Sequence, residues 1–274
     1  MGSLYTAVAS YLDARANDGR WLLRIEDLDK PREVAGSAAG MLRTLELFGF
    51  EWDGEVVRQS DRSDAYLAAM RSLESRNLTF ACSCSRAQLE PESRYPGTCR
   101  DRRAHDGDTA IRLRIESGHV MFEDRVQGIY RQDVSAAAGD IIIKRRDEIF
   151  AYVLAVVVDD AAQGVTHIVR GADLLDNTPR QIYLQRLLGT AQPKYAHVPV
   201  LTEQDNSKLA KSRRSVNAAA NQPLPQLWWI FSLLGLTPPE TLLSATLDDA
   251  WRWAFDRWDV NKIPKRLNLR VTDQ

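Results

Sequence analysis

Apolar runs that end in charged residues alternate with amphipathic segments along this 274-residue chain, and this alternation restricts its fold more than any other feature. The run WLLRIED (21–27) has the composition of a buried strand followed by acidic residues. Apolar residues recur at helical spacing before it, in 4–16, and after it, in 38–50 and 63–77. The pattern predicts an α/β fold with a parallel sheet of the Rossmann type.

The alternation resumes in the second half of the chain. The apolar runs YVLAVVVDD (152–160) and THIVRGAD (166–173) are interpreted as candidate strands. The segment after them has a strong helix start, with Thr178 as the expected N-cap, Gln181 completing a capping box, and Gly189 ending the helix. Helices and strands therefore continue to alternate here.

Composition predicts three regions. Short alternating segments with polar interruptions predict an insertion of loops and antiparallel strands at about 79–140. We expect a Rossmann-type catalytic domain in 1–195 that carries this insertion, and a small helical C-terminal unit in 196–274. The tryptophans of that unit are assigned to core packing rather than to base stacking: Trp228, Trp229, Trp251, Trp253 and Trp258.

Charge and hydropathy indicate an ordinary globular protein. The formal net charge is −1, which argues against a protein that coats nucleic acid electrostatically. No run of eighteen uncharged apolar residues occurs, and the first twenty residues lack the features of a secretory signal. We therefore expect a cytoplasmic protein without a membrane partner, and a monomer.

The cysteines form one short cluster. The chain has three cysteines, Cys82, Cys84 and Cys99. An odd number of cysteines in a sequence without a secretory signal argues against a disulfide framework. With Tyr95 they offer three thiolates and a phenolate, which satisfies the tetrahedral coordination of a structural Zn²⁺. The alternative is three reduced thiols in a surface loop.

Charged residues at predicted strand ends form the first candidate site. Glu26 could bind a substrate amino group, and Arg170 could pair with a carboxylate or phosphate. Both lie at strand ends that open α/β folds place beside their ligands. The alternative is a set of structural ion pairs. Structural hydrogen bonding is the favoured role for three further polar residues, Asp159, Asp160 and His197.

The basic segment KLAKSRR (208–214) is the second candidate site. Lys208, Lys211 and the hydroxyl of Ser212 could hold nucleotide phosphates, with small Ala210 allowing close approach of the backbone. The alternative is a solvated loop, which is the commoner outcome for an isolated short match.

Together these segments resemble the glutamyl-tRNA synthetase type of class I aminoacyl-tRNA synthetase. KLAKS is similar to the lysine–serine signature of that class. The segments RIEDLDKPR, FAYVLAVVVDD, HIVRGADLL and YAHVPVL resemble consecutive parts of the catalytic domain, in the family's order. The resemblance covers about three quarters of the chain, from its first residues to the basic segment.

The cysteine spacing and the chain length resemble one branch of the family, the glutamyl-queuosine tRNA(Asp) synthetases. Only about sixty residues follow the basic segment, too few for a large anticodon-binding region. The resemblance implies that glutamate is activated with ATP and Mg²⁺ and then transferred to queuosine at the wobble position of tRNA(Asp). A truncated glutamyl-tRNA synthetase and an inactive descendant that binds zinc and RNA remain alternatives.

The resemblance also implies a role for each candidate residue. Glu26, Tyr152 and Arg170 would contact glutamate. Lys211 would be the catalytic residue that stabilises the charge developing in adenylate formation, with Lys208 and Ser212 also at the ATP. A structural Zn²⁺ would be held by four residues: Cys82, Cys84, Tyr95 and Cys99.

The chain departs from the family pattern at its start. The family's catalytic domain opens with a strand resembling R-F-A-P-S-P-x-G, followed by H-x-G-S or H-x-G-H, and MGSL matches only the last residues of that signature. We expect a missing first strand to expose a sheet edge, and a missing first loop to remove part of the nucleotide site. The expectation is that the chain as given is poorly stable and nearly inactive.

Overall fold

The computed structural model describes residues 2–34, 36–85, 88–89, 94–103, 107–202 and 222–271. Its first part alternates helices with short strands. Strand β1 pairs in parallel with β2, and Gly19 follows α1 as predicted, its N–H bonding to the carbonyl of Ala14. The elements are α1 (Gly2–Arg15), β1 (Arg24–Ile25), α2 (Ser37–Leu47), β2 (Val57–Arg58) and α3 (Ser63–Glu74).

Antiparallel strands dominate the next stretch. Strand β4 lies between β3 and β7 in one antiparallel sheet, and β5 and β6 form a hairpin. The carboxylate of Asp133 caps the short helix that follows this hairpin. The elements are β3 (Thr79–Cys82), β4 (Ala110–Leu113), β5 (His119–Asp124), β6 (Gly128–Asp133), α4 (Val134–Ala137) and β7 (Ile141–Lys144).

Parallel pairing returns in the following stretch. Strands β8 and β9 are parallel, with Arg170 opposite His197, and β5 joins β9 in parallel where Asp124 meets Tyr195. The sheet order is thus β6-β5-β9-β8. The elements are α5 (Tyr152–Ala162), β8 (His167–Gly171), α6 (Thr178–Leu188), β9 (Lys194–Val198) and β10 (Val200–Thr202).

The C-terminal part is mainly helical. Helices α7 (Pro223–Leu233) and α8 (Leu247–Phe255) are followed by strand β11 (Asn268–Arg270), which pairs in parallel with β10. Thr246 accepts the backbone N–H of Asp249 and so caps α8. Within the described residues, no helix is long and apolar enough to cross a membrane.

The apolar run 152–160 forms helix α5, so its interpretation as a strand was wrong. The helix packs against α3 and α6, and its side chains from Leu154 to Val157 are buried. A helix covered on several sides is apolar around most of its circumference, and periodicity then cannot separate it from a buried strand. The predicted strand in 21–27 is correct in place but regular for only two residues, Arg24 and Ile25.

Two buried apolar cores hold the described elements together. The first joins α1 to the C-terminal helices and includes Leu12, Phe231 and Trp251. The second joins α3, α5 and α6 to the antiparallel strands and includes Leu73 and Leu154. The α/β class and the parallel pairing predicted from the sequence are confirmed.

Candidate active site and metal centre

Arg170, at the end of β8, lies at the centre of the first candidate site. Only 8% of the residue is exposed. Its Nε donates to Nε2 of His197 at 3.0 Å, and its Nη2 donates to Oγ1 of Thr178 at 2.8 Å and to Oε1 of Gln181 at 2.7 Å. These bonds satisfy much of a buried cation, which would otherwise be costly to remove from water.

The predicted capping box at the start of α6 does not form. The N-cap is Asn177, and its side chain makes no capping bond. Thr178 and Gln181 bind the guanidinium of Arg170 instead, because a charged donor is a stronger partner than a backbone N–H. The sequence therefore placed the helix correctly but assigned its first polar residues the wrong partners.

Tyr152 begins helix α5 and lies within electrostatic range of Arg170 and Glu26. The pKa of Tyr152 is raised, mainly by removal of the phenol from solvent; Arg170 opposes the rise and Glu26 adds to it. The residue remains 38% exposed. The structure thus brings together the three residues predicted for one substrate, Glu26, Tyr152 and Arg170.

Acidic groups surround the other side of this site. Burial raises the pKa of Asp160, although Arg24 opposes the rise through an ion pair at 2.9 Å. Partial desolvation also raises the pKa of Glu26, whose side chain is still 41% exposed; Arg24 opposes this rise and Asp160 adds to it. A cationic fork on one side and carboxylates on the other suit a ligand that carries both a carboxylate and an ammonium group.

Asp159 is fully buried and has a structural role, as predicted. Its carboxylate accepts hydrogen bonds from Gln59 at 2.8 Å, from Arg62 at 2.6 Å and from Tyr66 at 2.8 Å. These bonds tie α5 to α3 and to the turn before it. Arg24 and Asp160 were not predicted as a pair, since their separation in the sequence gives no signal of contact.

A cleft of about 660 Å³ opens beside Glu26. It is lined by Arg24, Glu26 and Asp29 on one side and by Met41 and Leu42 of α2 on the other. Its size lies in the range of small-molecule and nucleotide sites. The predicted ATP residues Lys208, Lys211 and Ser212 lie outside the described residues.

The three cysteines and Tyr95 converge into one cluster. The three sulfur atoms lie within 4.8 Å of one another, with Sγ of Cys84 and Cys99 3.5 Å apart. The hydroxyl of Tyr95 lies 3.4 Å from Sγ of Cys82 and accepts the backbone N–H of Cys99 at 2.9 Å. Sulfur atoms bound tetrahedrally to one Zn²⁺ at about 2.3 Å lie about 3.8 Å apart, so these donors fit a zinc ion.

The cluster perturbs the ionisation of its own members. The pKa of Cys99 is lowered to about 6: burial opposes this, but hydrogen bonds from the Ser83 backbone and from Tyr95 outweigh it. Burial raises the pKa of Cys84 to about 11. Burial also raises the pKa of Tyr95, and the three cysteine sulfurs form a mostly buried group that could hold a metal ion.

Comparisons with known proteins give matches over most of the chain. Residues 1–228 match the family model described as the catalytic domain of class I tRNA synthetases (E and Q). A glutamyl-Q tRNA(Asp) synthetase from Pseudomonas fluorescens is 52% identical over 269 residues, covering 98% of this chain and 90% of that protein. The counterpart from Pseudomonas aeruginosa PAO1 is 53% identical over 98% of this chain and 92% of its own.

Solved structures show the same fold. A glutamate tRNA ligase from Elizabethkingia meningosepticum, crystallised with its amino acid, superposes with a TM-score of 0.82 at 20% identity. The superposition covers 99% of this chain and 64% of that one. A glutamate–tRNA synthetase from Elizabethkingia anophelis gives 0.81, also at 20% identity, over 99% of this chain and 65% of its own.

Proposed function

This chain belongs to the glutamyl-Q tRNA(Asp) synthetase family of class I ligases, and from that premise we propose its reaction. Glutamate reacts with ATP to form glutamyl-adenylate and pyrophosphate, and the glutamyl group passes to queuosine at the wobble position of tRNA(Asp). The observation that carries the proposal is the buried Arg170 beside Tyr152 and Glu26. We place the protein in the cytoplasm, where its proposed tRNA substrate is found.

Glutamate is the amino acid that suits this site. Arg170 offers a fixed cationic donor for a substrate carboxylate. Glu26, with Asp160 near it, offers negative charge to the α-ammonium group, and the hydroxyl of Tyr152 supplies a further polar contact. A ligand with a net negative charge and one ammonium group can pair with Arg170 and with these carboxylates at the same time.

ATP is bound by the basic segment in this proposal. Lys211 stabilises the negative charge that develops as the α-phosphate of ATP is attacked, and Lys208 and Ser212 hold the phosphates. Magnesium accompanies the ATP, as in the family, and we assign it no protein ligand. The support comes from the KLAKS sequence and from the family match over residues 1–228.

A structural Zn²⁺ completes the proposed protein. Cys82, Cys84, Tyr95 and Cys99 would hold it and so fasten β3 to the loop that carries Tyr95 and Cys99. The ion would contribute stability and would take no part in the transfer of glutamate. The proposed domain boundaries remain 1–195, with the insertion at about 79–140, and 196–274.

A comparison of tRNA substrates tests the proposal. We expect radiolabelled glutamate to be incorporated into tRNA(Asp) that carries queuosine, with little incorporation into the same tRNA without queuosine or into tRNA(Glu). The ratio between the tRNAs is the readout, because it does not depend on the absolute rate. Preferential charging of tRNA(Glu) would contradict the proposal and would favour a glutamyl-tRNA synthetase.

Glutamate-dependent exchange of labelled pyrophosphate into ATP tests the first step separately. We expect weak exchange with glutamate in the absence of tRNA, in keeping with the low activity expected from the sequence, and no exchange when Lys211→Ala replaces the proposed ATP lysine. Lys265→Ala is the matched control, since this exposed lysine lies next to Gly128 and is not part of the basic segment 208–214. Exchange with aspartate but not with glutamate would overturn the proposed substrate.

A further inference from the structure

We propose that Asp124 and His197 act as a positioning pair that fixes the guanidinium of Arg170 for binding a substrate carboxylate. Neither residue contacts the ligand itself. The inference rests on the proposed function only for the identity of the ligand, glutamate. The structure contains the hydrogen-bonded chain Asp124–His197–Arg170.

The three residues lie on three adjacent strands. Asp124 ends β5, His197 lies in β9, and Arg170 lies in β8 directly opposite His197 in the parallel register. Strand β5 also forms the antiparallel hairpin with β6. Asp124, the first residue of the hydrogen-bonded chain, therefore comes from outside the β8–β9 pair. Within the pairings described, the contact of β5 with β9 is what brings Asp124 to His197.

Asp124 is held as an ionised acceptor. Its Oδ1 accepts backbone N–H groups from Val126 at 3.0 Å, Gln127 at 2.8 Å and His197 at 3.1 Å. Its Oδ2 lies 2.6 Å from Nδ1 of His197. Burial would raise the pKa of Asp124, but the hydrogen bonds from His197 and the backbone lower it overall. An ionised carboxylate only accepts, so Nδ1 of His197 carries a proton.

His197 is consequently an acceptor at its other nitrogen. Burial lowers the pKa of His197; Asp124 opposes this effect and Arg170 increases it. A neutral imidazole with its proton on Nδ1 has a lone pair on Nε2. That lone pair faces Nε of Arg170 at 3.0 Å, and Oγ1 of Thr178 also lies 3.0 Å from Nε2. A charged imidazole, or the other tautomer, would present a hydrogen atom to the guanidinium and lose this bond.

The bonds to Arg170 leave one side of the guanidinium for a ligand. Nε bonds to His197 and Nη2 bonds to Thr178 and Gln181, so none of these bonds uses Nη1. Gln181 is 2% exposed, and its side chain interacts with the hydroxyl of Tyr152, although its Nε2 has no partner in full hydrogen-bond geometry. This amide donor lies beside the fixed guanidinium and can also donate to a carboxylate oxygen.

The substitution Asp124→Asn tests the positioning pair. Oδ1 of the new amide can still accept the three backbone N–H groups, while its NH₂ group faces Nδ1 of His197. The imidazole must then move its proton to Nε2, which turns the acceptor for Arg170 into a donor. We expect the dissociation constant for glutamate, measured by titration calorimetry, to rise about tenfold or more, with that for ATP changed less than about twofold.

The imidazole tautomer gives a readout that a purely structural role would not move. Nitrogen-15 NMR of the histidine side chains in the ligand-free protein should show Nδ1 of His197 protonated, and Nε2 protonated in Asp124→Asn. A wild-type protein with Nε2 protonated would overturn the proposal. So would a variant with the changed tautomer and an unchanged affinity for glutamate.

Two substitutions of His197 separate its bond to Asp124 from its bond to Arg170. His197→Gln places an amide oxygen near the position of Nε2 and can keep the acceptor for Arg170. His197→Asn places an amide NH₂ near Nδ1, keeping the bond to Asp124 but offering Arg170 no acceptor. We expect His197→Asn to lose glutamate affinity as Asp124→Asn does, and His197→Gln to retain most of it. Equal losses in both variants would contradict the proposal.

Controls separate this inference from the proposed function. Thermal unfolding of each variant shows whether the fold survives, and a loss of ATP affinity in parallel with glutamate affinity would indicate a general structural effect, against the positioning role. If the wild-type protein binds another amino acid and not glutamate, the proposed function fails. The positioning pair is then judged by the tautomer and by the affinity for that amino acid's carboxylate.

Discussion

At the scale of single residues, the buried carboxylate of Asp159 is a hydrogen-bond acceptor that links α5 to α3. It accepts three hydrogen bonds, one of them from the cation of Arg62, and has no exposed surface. Asp159→Ala would leave the buried Tyr66 and Gln59, and the partly exposed Arg62, without this partner. We expect the free energy of unfolding to fall by about 3–5 kcal/mol, as measured by urea denaturation.

A matched control for this prediction lies on helix α3. Glu74 is an exposed carboxylate at the end of that helix, and Glu74→Ala should change the free energy of unfolding by no more than about 0.5 kcal/mol. Asp159→Asn should lie between the two, since the amide keeps the size and part of the acceptor capacity. A loss of less than about 1 kcal/mol in Asp159→Ala would contradict the stabilising role.

Sequence reasoning at this scale selected residues that lie close together in the structure, but it missed some of their hydrogen-bond partners. Strand-end spacing and family resemblance pointed to Arg170, which the structure places beside Tyr152 and Glu26. Local rules assigned Thr178 and Gln181 to a helix cap, whereas both bind Arg170. A capping rule evaluates only the next few backbone N–H groups, and it cannot include a buried guanidinium from a neighbouring strand.

At the scale of elements, we predict that a bound metal stabilises the antiparallel sheet β3–β4–β7. Cys82 ends β3, and its partners Tyr95 and Cys99 lie in the connection between β3 and β4. Removing the ion would leave close thiols with no common partner, and the connection would lose its main cross-link. We expect one zinc per chain by elemental analysis and a fall in melting temperature after chelation, seen by circular dichroism.

Two substitutions test this zinc prediction. Cys99→Ser should lower the zinc content well below one per chain and should make the melting temperature insensitive to chelator. Ser85→Ala, one residue beyond Cys84, should keep the full zinc content and is the matched control. A wild-type protein that contains no zinc after expression with added metal, and whose melting temperature ignores chelator, would contradict the prediction.

Elements were easier to locate than to classify. The positions of the helices α1, α2, α3 and α6 follow from apolar spacing and from their terminal residues. The helix α5 was interpreted as a strand, because burial against α3 and α6 removes the polar face that marks a helix in a sequence. This helix is stabilised by long-range packing, which leaves no local pattern in the sequence.

At the scale of the whole molecule, distant segments meet in ways that a single sequence does not reveal. The bond between Asp124 and His197 joins residues 73 positions apart, and the ion pair of Arg24 with Asp160 spans more than a hundred. Predicting such pairs requires knowing which strands are neighbours. The α/β class was predictable from alternation alone, whereas the positioning pair became visible only from the order β5–β9–β8.

The two ends of the chain share one apolar core, which leads to a prediction about cooperativity. Trp251 of α8 is 4% exposed, donates from Nε1 to the carbonyl of Phe48 at 2.9 Å, and contacts the ring of Tyr11 edge to face at 4.9 Å. Gly49, with φ +74°, lies so close that a Cβ there would be 3.2 Å from Nε1 of Trp251. The proposed C-terminal unit is thus fixed directly to α1 and to the end of α2.

We therefore expect Trp251→Ala to destabilise the proposed regions 1–195 and 196–274 together. Removing the ring leaves a cavity between the segments, and the free energy of unfolding should fall by about 3–5 kcal/mol. Trp251→Phe keeps an aromatic ring but loses the hydrogen bond to Phe48, and should lower the free energy of unfolding by less.

Urea unfolding monitored by tryptophan fluorescence and by far-ultraviolet circular dichroism should give coincident transitions in the wild type and in both variants. Most of the remaining tryptophans lie in the C-terminal unit, so fluorescence reports mainly on that unit: Trp228, Trp229, Trp253 and Trp258. A fluorescence transition that comes earlier than the circular dichroism transition in Trp251→Ala alone would mean that the C-terminal helices unfold separately.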